Sequence, residues 1–359
     1  MLSASANDVK RVAYYRWLTA TTIIATVLVT WNLWSCERYY PTAPLFGTQS
    51  FISGNYAFLF RVALIILSLL FAFKLNYVEW FLCSLLVVGF ADDLNRLLPN
   101  TYQFAIILLL FGLHKQNKEH ELLSALRIIQ GGVYLWTGIL KLNSGFVNNM
   151  SQFIYTTLRL KHPPEYLKYT LLFVSIWEIA IGLSFLSGKK VKAAIISAVP
   201  LHLIIILILV LSAWNRTIIS YNLFLVAGNF VLFSKSSYRV MNDIRKPVVL
   251  VQKIAIALFI VLPALNLAHL WPDFMSSSLY SGRGLSAAIY VDDKLKKQLP
   301  DAALKAVFDS PNGPYISVTH WIQNETGTVP NPQRFVYNKM YTQFRTKYNC
   351  TDSVRMVIY

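Results

Sequence analysis

Apolar residues in this chain come in runs. Long apolar stretches cover residues 16–35, 57–75, 77–91, 101–114, 122–142, 168–187, 191–213, 217–233 and 248–270, with short polar segments between them. Several approach the twenty or so residues that cross about 30 Å of hydrocarbon as a helix. Backbone groups in lipid must bond within their own segment, so such runs are forced into helices. The pattern predicts an α-helical polytopic membrane bundle of about nine transmembrane helices. Two runs are marginal: "TYQFAIILLLFGL" is short, and 217–233 is interrupted by Asn222 and Gly228, so either also reads as a re-entrant or broken segment.

The pattern changes near Trp271. "AAIYVDD", "GPYISVTHWIQ" and "DSVRMVIY" read as strands, while "KLKKQLPDAALKAVF" and "NPQRFVYNKMYTQFRTKYN" read as helices. Residues 1–270 are therefore a transmembrane domain and residues 271–359 a small exterior α+β domain, small enough to need the bundle as a packing partner. The join, "WPDFMSSSLYSGRG", reads as a loop across the outer mouth of the bundle, with Tyr280, Gly282, Arg283 and Gly284 either capping a cavity there or forming a solvated linker.

Composition supports the membrane assignment. The 359 residues are 55% hydrophobic and 14% charged, with mean hydropathy +0.46, far from the roughly 25% charged residues of soluble domains. Lys and Arg collect between alternate runs, at Lys10, Arg11, Arg16, Lys74, Lys115, Lys118, Lys189, Lys190, Lys192, Lys235, Arg239, Arg245 and Lys246, against Arg38, Arg96, Arg159, Lys161 and Arg216 on the other side. This bias predicts a multi-pass cell-membrane protein, bacterial inner membrane in kind, with a cytoplasmic N-terminus and an exterior C-terminal domain. The net charge of +16 is accounted for by anionic membrane lipids and a basic tail, without a nucleic-acid partner. The first run, flanked by Trp17 and Trp34, reads as a retained anchor, not a cleaved signal. Cys83 lies in a run, whereas Cys36 and Cys350 fall on the exterior, where a disulfide between them is permitted but not required. The sequons at Asn149, Asn215, Asn324 and Asn349 read as chance matches.

Charged groups inside such runs are costly and are placed for pairing or function. Glu178 in "SIWEIAIGL" and His202 in "VPLHLIIIL" are near the middle of their runs; each reads either as a polar clamp between helices or as a group facing substrate. In the fifth run, Arg127, Gln130, Tyr134, Thr137, Gly138 and Lys141 recur at spacings of three and four, opposite Ile128, Leu135 and Ile139. That makes one polar helical face, lining something wetter than lipid or else snorkelling at both ends. Lys141 ends the run at what this topology makes the exterior side, with Asp92 and Asp93 as countercharges and Arg61 at the same level. A desolvated lysine in such company can serve as a base.

The stretch "VYLWTGILKLNSGF" resembles the segment that carries the essential lysine of vitamin K-dependent gamma-carboxylases and the wider horizontally transferred transmembrane (HTTM) superfamily. "WEIAIGL" and "HLIIILILVLSAWNRTIISYNLFLV" resemble the helices that follow, so the likeness covers most of residues 10–270, with Gly138, Lys141, Glu178, His202 and Asn222 as landmarks. The resemblance implies that Lys141 is a catalytic base acting on a menaquinol or vitamin K-type hydroquinone, in a reaction that modifies or matures a secreted peptide or protein. In the carboxylases the oxygenated hydroquinone takes a proton from a glutamate side chain, and CO2 then adds. This chain departs from them in two respects. "LLPNTYQF" supplies Asn100, Thr101 and Tyr102 where the carboxylases carry a histidine, and the large substrate-binding exterior domain is replaced by the appendage.

Two functional readings stand at this point. One is a quinol-dependent membrane enzyme with Lys141 as base. The other is a non-catalytic membrane scaffold or a lipid or peptide carrier, in which a Glu178–Arg127 pairing matters more. The sequence holds no HExxH, GxSxG, Walker A or CxxC motif, so it predicts no metal site, hydrolase or NTPase. His162 in "KHPPEY" reads as a loop residue.

Overall fold

The structure is a computed structural model that describes residues 5–35, 37–47, 49–162, 165–234, 240–245, 249–350 and 354–359, with only the backbone at Val240 and Asn242. Each predicted apolar run is helical: α1 (Ala6–Val29), α2 (Asn55–Ala72), α3 (Val78–Asp92), α4 (Pro99–Leu113), α5 (Glu119–Leu140), α7 (Glu165–Ser187), α8 (Val191–Ser212), α9 (Arg216–Phe233) and α11 (Leu250–Ile256). Beyond α11 the chain continues as a π turn over Ala257–Val261 and a 3-10 segment over Leu262–Ala268, where Pro263 removes a backbone donor. Among the described residues seven helical segments are long and apolar enough to cross a membrane, the last of them running from α11 on to Ala268. The other two, α3 and α4, have 15 residues each and rise about 22 Å, short of a 30 Å core.

The bundle is apolar outside and, within an apolar core, holds a set of buried polar groups. Phe58 and Ile66 of α2, Phe173 and Ile176 of α7, and Leu203, Ile204 and Leu207 of α8 are exposed, whereas Arg127, Gln130, Glu178, His202, Asn222 and Asn229 are buried. The sequence reading gave α5 a polar face and an apolar back. In the structure it is the central helix and Ile128 is as buried as Gln130. Small residues allow this, as they do wherever membrane helices approach closely. A Cβ at Gly132 would lie 2.4 Å from Phe259 O, one at Gly138 would lie 2.6 Å from Ser175 O, and one at Gly182 of α7 would lie 2.6 Å from Leu135 N.

Two further helices were not legible as such. Asn143 caps α6 (Ser144–Thr157) by accepting from Phe146 N at 2.9 Å, and α6 buries Phe146, Val147 and Ile154 against Leu171 of α7. The short α10 (Val240–Arg245) follows α9. Lys10, Lys74, Lys115, Lys189 and Lys190 are exposed at one end of the bundle. Arg16, expected among them, is buried instead, with its guanidinium 4.8 Å from the Phe71 ring and 4.6 Å from the Phe111 ring.

At the other end sits the appendage. Its four strands, β1 (Ala287–Tyr290), β2 (Val307–Phe308), β3 (Tyr315–Ser317) and β4 (Arg355–Ile358), form an antiparallel sheet in the order β2-β3-β1-β4. Two expectations are corrected. "GPYISVTHWIQ" is a strand only to Ser317, whose side chain accepts from His320 N and starts α14 (Val318–Thr326). "KLKKQLPDAALKAVF" is two single turns, α12 (Asp293–Lys296) and α13 (Asp301–Leu304), parted at Pro300. The helix α15 (Arg334–Tyr348) is as expected, and Trp321, Ile322, Val336, Tyr337, Met340 and Phe344 form the core with β1 and β3.

The appendage is pinned to the bundle by polar bonds. The Glu325 carboxylate accepts from the backbone N–H of Tyr39 and, at 2.8 Å, of Tyr40. Asn215 N donates to Gln323 Oε1 at 2.9 Å, Arg216 N to Gly327 O at 2.9 Å, and Asn331 Nδ2 to Leu94 O at 3.2 Å. Cys36 lies outside the described residues, and with it the Cys36–Cys350 bridge that the sequence permits; Cys350 is buried in the appendage core.

Candidate functional site

Lys141 is the C-cap of α5. Its Nζ donates to both oxygens of Glu178, at 2.8 and 2.9 Å, and lies 5.6 Å from the centre of the Phe146 ring. Both side chains are buried, Lys141 at 8% and Glu178 at 4% exposure. Sequence position suggests that Lys141 is at the mouth of the bundle and Glu178 is deep within it. They meet because the helices are offset: Gly138 is level with Ser175 and Ile179, and α7 continues outward past that point to Glu165. The lysine arm reaches inward from there.

The predicted countercharges do other work. Asp92 pairs with Arg96 at 2.8 Å and accepts from Phe51 N at 2.7 Å and Ile52 N at 3.0 Å. Asp93 pairs with Arg38 and accepts from Ala43 N at 3.0 Å. Neither carboxylate reaches Lys141, because both face the loop between α1 and α2 and order it. Burial opposes the charge on Asp93, but Arg38 and Arg96 beside it outweigh that and hold its carboxyl below the usual carboxylate range. Arg61 donates to Ala57 O at 3.1 Å and lies 4.2 Å from the Trp31 ring. Arg127 donates to Leu232 O of α9 at 2.9 Å, so Glu178 takes Lys141 and not Arg127 as its partner.

Below the ion pair the polar face of α5 meets α8 and α9. The Tyr134 hydroxyl bonds His202 Nε2, and His202 Nδ1 bonds Asn222 Oδ1. Asn229 Nδ2 donates to the Tyr134 hydroxyl at 2.8 Å, and Gln130 Nε2 donates to Asn229 Oδ1 at 2.8 Å and Leu225 O at 3.0 Å. Arg127, Gln130, Tyr134, Lys141, Glu178, His202 and Asn222 thus fall along one interior column. Asn229 belongs with them and was missed, although it lies seven residues from Asn222, on the same face of an apolar run. A Tyr221–Gln103 bond between α9 and α4 was also missed; nothing in either run marks the two as partners.

The loop Ser277–Arg283 covers the turn between α5 and α6. Asn143 Nδ2 donates to Ser281 O at 2.8 Å, and Gly282, at φ +69°, packs so close that a Cβ would lie 2.1 Å from Phe146 N. Arg283 caps the last bundle helix through Asn266 O and Leu267 O, both at 3.0 Å. Beside this corner, between α6 and the outer part of α7, is a groove of 540 Å³ lined by Leu142, Asn143, Val147, Glu165, Lys168 and Leu172 among others. His162 is in an exposed loop.

Among the described residues no cluster of three or more His, Cys, Asp or Glu side chains is placed to hold a metal ion. In comparisons with known protein families, with curated proteins and with solved structures, the chain matches none.

Proposed function

We propose that this chain is a multi-pass membrane enzyme that transfers protons on a lipid-soluble quinol and thereby modifies or matures a secreted peptide or protein, as its resemblance to the gamma-carboxylase and HTTM class implies. The observation that carries this reading is the Lys141–Glu178 pair, buried beneath the Ser277–Arg283 loop and next to a groove. A buried ammonium and a carboxylate in direct contact can pass a proton between them with no change in the pair's net charge, which leaves either an amine or a carboxylate available as a base.

The groove suits an amphiphile with a ring. Leu142, Val147 and Leu172 supply apolar walls, while Asn143 and Asn148 supply polar atoms. A bound hydroquinone would contribute the reactive oxygen chemistry. Glu178 orients Lys141 Nζ, Phe146 covers one side of it, and the Ser277–Arg283 loop excludes water. In this reading nine helices cross the membrane, the N-terminus is cytoplasmic, and the appendage, exterior and docked over the same end as Lys141, receives the peptide.

The test has two arms. Protein purified in mild detergent is extracted and assayed for isoprenoid quinones, and wild type is compared with Lys141→Met for modification of a co-encoded or co-purified secreted precursor. Quinone retained by wild type, with the modification lost in K141M at normal protein levels, is the expected result. Full modification by K141M overturns it.

One observation favours a second reading. Both Glu178 oxygens are taken by one ammonium, which is also what a staple between α5 and α7 requires in a non-catalytic scaffold or carrier. Exchanging the two residues, Lys141→Glu with Glu178→Lys, restores a staple but misplaces a base.

A further inference from the structure

Tyr134, His202, Asn222 and Asn229 are each at most 4% exposed, and their hydrogen bonds can be assigned donor by donor. Asn222 gives its Nδ2–H to Ile218 O at 2.6 Å, so the Oδ1 that faces His202 Nδ1 accepts. A neutral imidazole that donates through Nδ1 has a bare Nε2. That is the atom the Tyr134 hydroxyl meets, so Tyr134 donates. Asn229 Nδ2 donates in turn to the Tyr134 oxygen, and its Oδ1 accepts from Gln130. The row points one way, from Gln130 through Asn229, Tyr134 and His202 to Asn222. Gln130 Oε1, which has no partner among the described residues, stands at its start.

Amides alone would satisfy a clamp between three helices. Here a phenol and an imidazole stand in the middle of the row, and each outer neighbour supports the product of moving one proton between them. We propose that Tyr134 and His202 are a proton-transfer pair that serves the Lys141–Glu178 couple. The Tyr134 O–H bond breaks and an Nε2–H bond forms on His202, while the bonding electrons stay on the phenolate oxygen. Asn229 donates to that oxygen, and Asn222 holds Nδ1–H of the imidazolium. The reverse step restores both groups. Tyr134 lies two turns, about 10 Å, inward of Lys141 on one helical face. On its other side stand the Gln130 amide and the Arg127 guanidinium, neither of which relays a proton readily, so the exchange is assigned to the Lys141 side.

This inference rests on the proton-transfer reading of Lys141 but is tested without any substrate. Protein labelled with 15N-histidine and 13Cζ-tyrosine is placed in lipid nanodiscs for solid-state NMR, and His202→Gln identifies its signal among the six histidines. The expected spectrum shows His202 as the Nδ1–H tautomer, its Nε2 coupled to a tyrosine Cζ, with the coupling lost in Tyr134→Phe. An Nε2–H tautomer in unsubstituted protein overturns the proposal, and that measurement needs no variant to fold. In D2O, Lys141→Met should slow exchange of the shared proton by about a hundredfold, the lower end of what a positioned acid–base group contributes. An unchanged rate also overturns it. If instead K141M retains full activity on the secreted precursor, the assignment of Lys141 as base fails while this resonance stays where it is, so the two failures are distinguishable.

Discussion

Lys141 and Glu178 are 37 positions apart in sequence and share a contact that neither residue's own run announces. Removing one partner of a buried pair strands the other, at a cost of about 3–5 kcal/mol. Lys141→Met should therefore lower the melting temperature in detergent clearly, and Glu178→Gln should do the same. The double variant should cost less than the two single changes together, since each alone leaves a polar group unpaired. Additive losses would show that the pair is not coupled. Asp93 gives a pH dependence of opposite origin. Its folded-state carboxyl is held below the ordinary value, so its contribution to stability is complete above about pH 4 and is lost as acid protonates it in the folded state. Proteolysis of the loop between α1 and α2 should accelerate below that pH in the native chain, and Asp93→Asn should reduce the acid dependence, Asp92 still holding Phe51 and Ile52. The sequence marked Lys141, Glu178 and His202 as buried and ionisable, because charge within an apolar run is visible by inspection. It could not say which met which. That depends on the offset of α5 against α7, which Gly138 and Ser175 fix in three dimensions.

At the scale of elements, periodicity was the strong signal. All the long apolar runs are helical, as their length and composition predict, and the Pro300 break between α12 and α13 is one that proline's missing N–H would have foretold. The extra helix α6 escaped because its polar face hides among Asn, Ser and Gln, and its cap, Asn143, resembles an ordinary turn residue. The position of α5 was misjudged for a related reason: a helix that is polar on one side and apolar on the other looks amphipathic, yet glycine lets neighbours close on every side of it. Gly138→Ala would place a methyl group 2.6 Å from the Ser175 carbonyl oxygen. Overpacking of this kind costs about 1–3 kcal/mol and should push α7 away from α5, lengthening the Lys141–Glu178 contact. A cysteine cross-link placed between the two helices should form more slowly in the alanine variant; an equal rate would mean that the seam is looser than the geometry implies.

The whole molecule is a bundle closed at one end by its own C-terminal piece. Glu325 is the central tie, since its carboxylate serves two backbone N–H groups of the first loop as well as Trp321 Nε1 at 3.0 Å. Glu325→Ala should leave those donors unsatisfied at about 1–3 kcal/mol and release the appendage to protease, whereas Glu325→Gln, which can still accept, should be milder. Cleavage at the same rate in all three proteins would mean that the remaining ties suffice. The existence of the appendage was legible from its change in composition. Its docking was not, because the bonds join single residues of loops that carry no pattern.

That tie also sets an order of events. Tyr40 leaves the ribosome 285 residues ahead of Glu325, roughly 15 to 60 s earlier at common synthesis rates. Throughout that interval the first loop must wait with its amides facing water, and a chain cut short before Glu325 never seals it. Quality-control proteases would then meet an open loop at the end of the bundle, so premature termination in the appendage before Glu325 should deplete the protein from the cell while leaving every bundle helix intact.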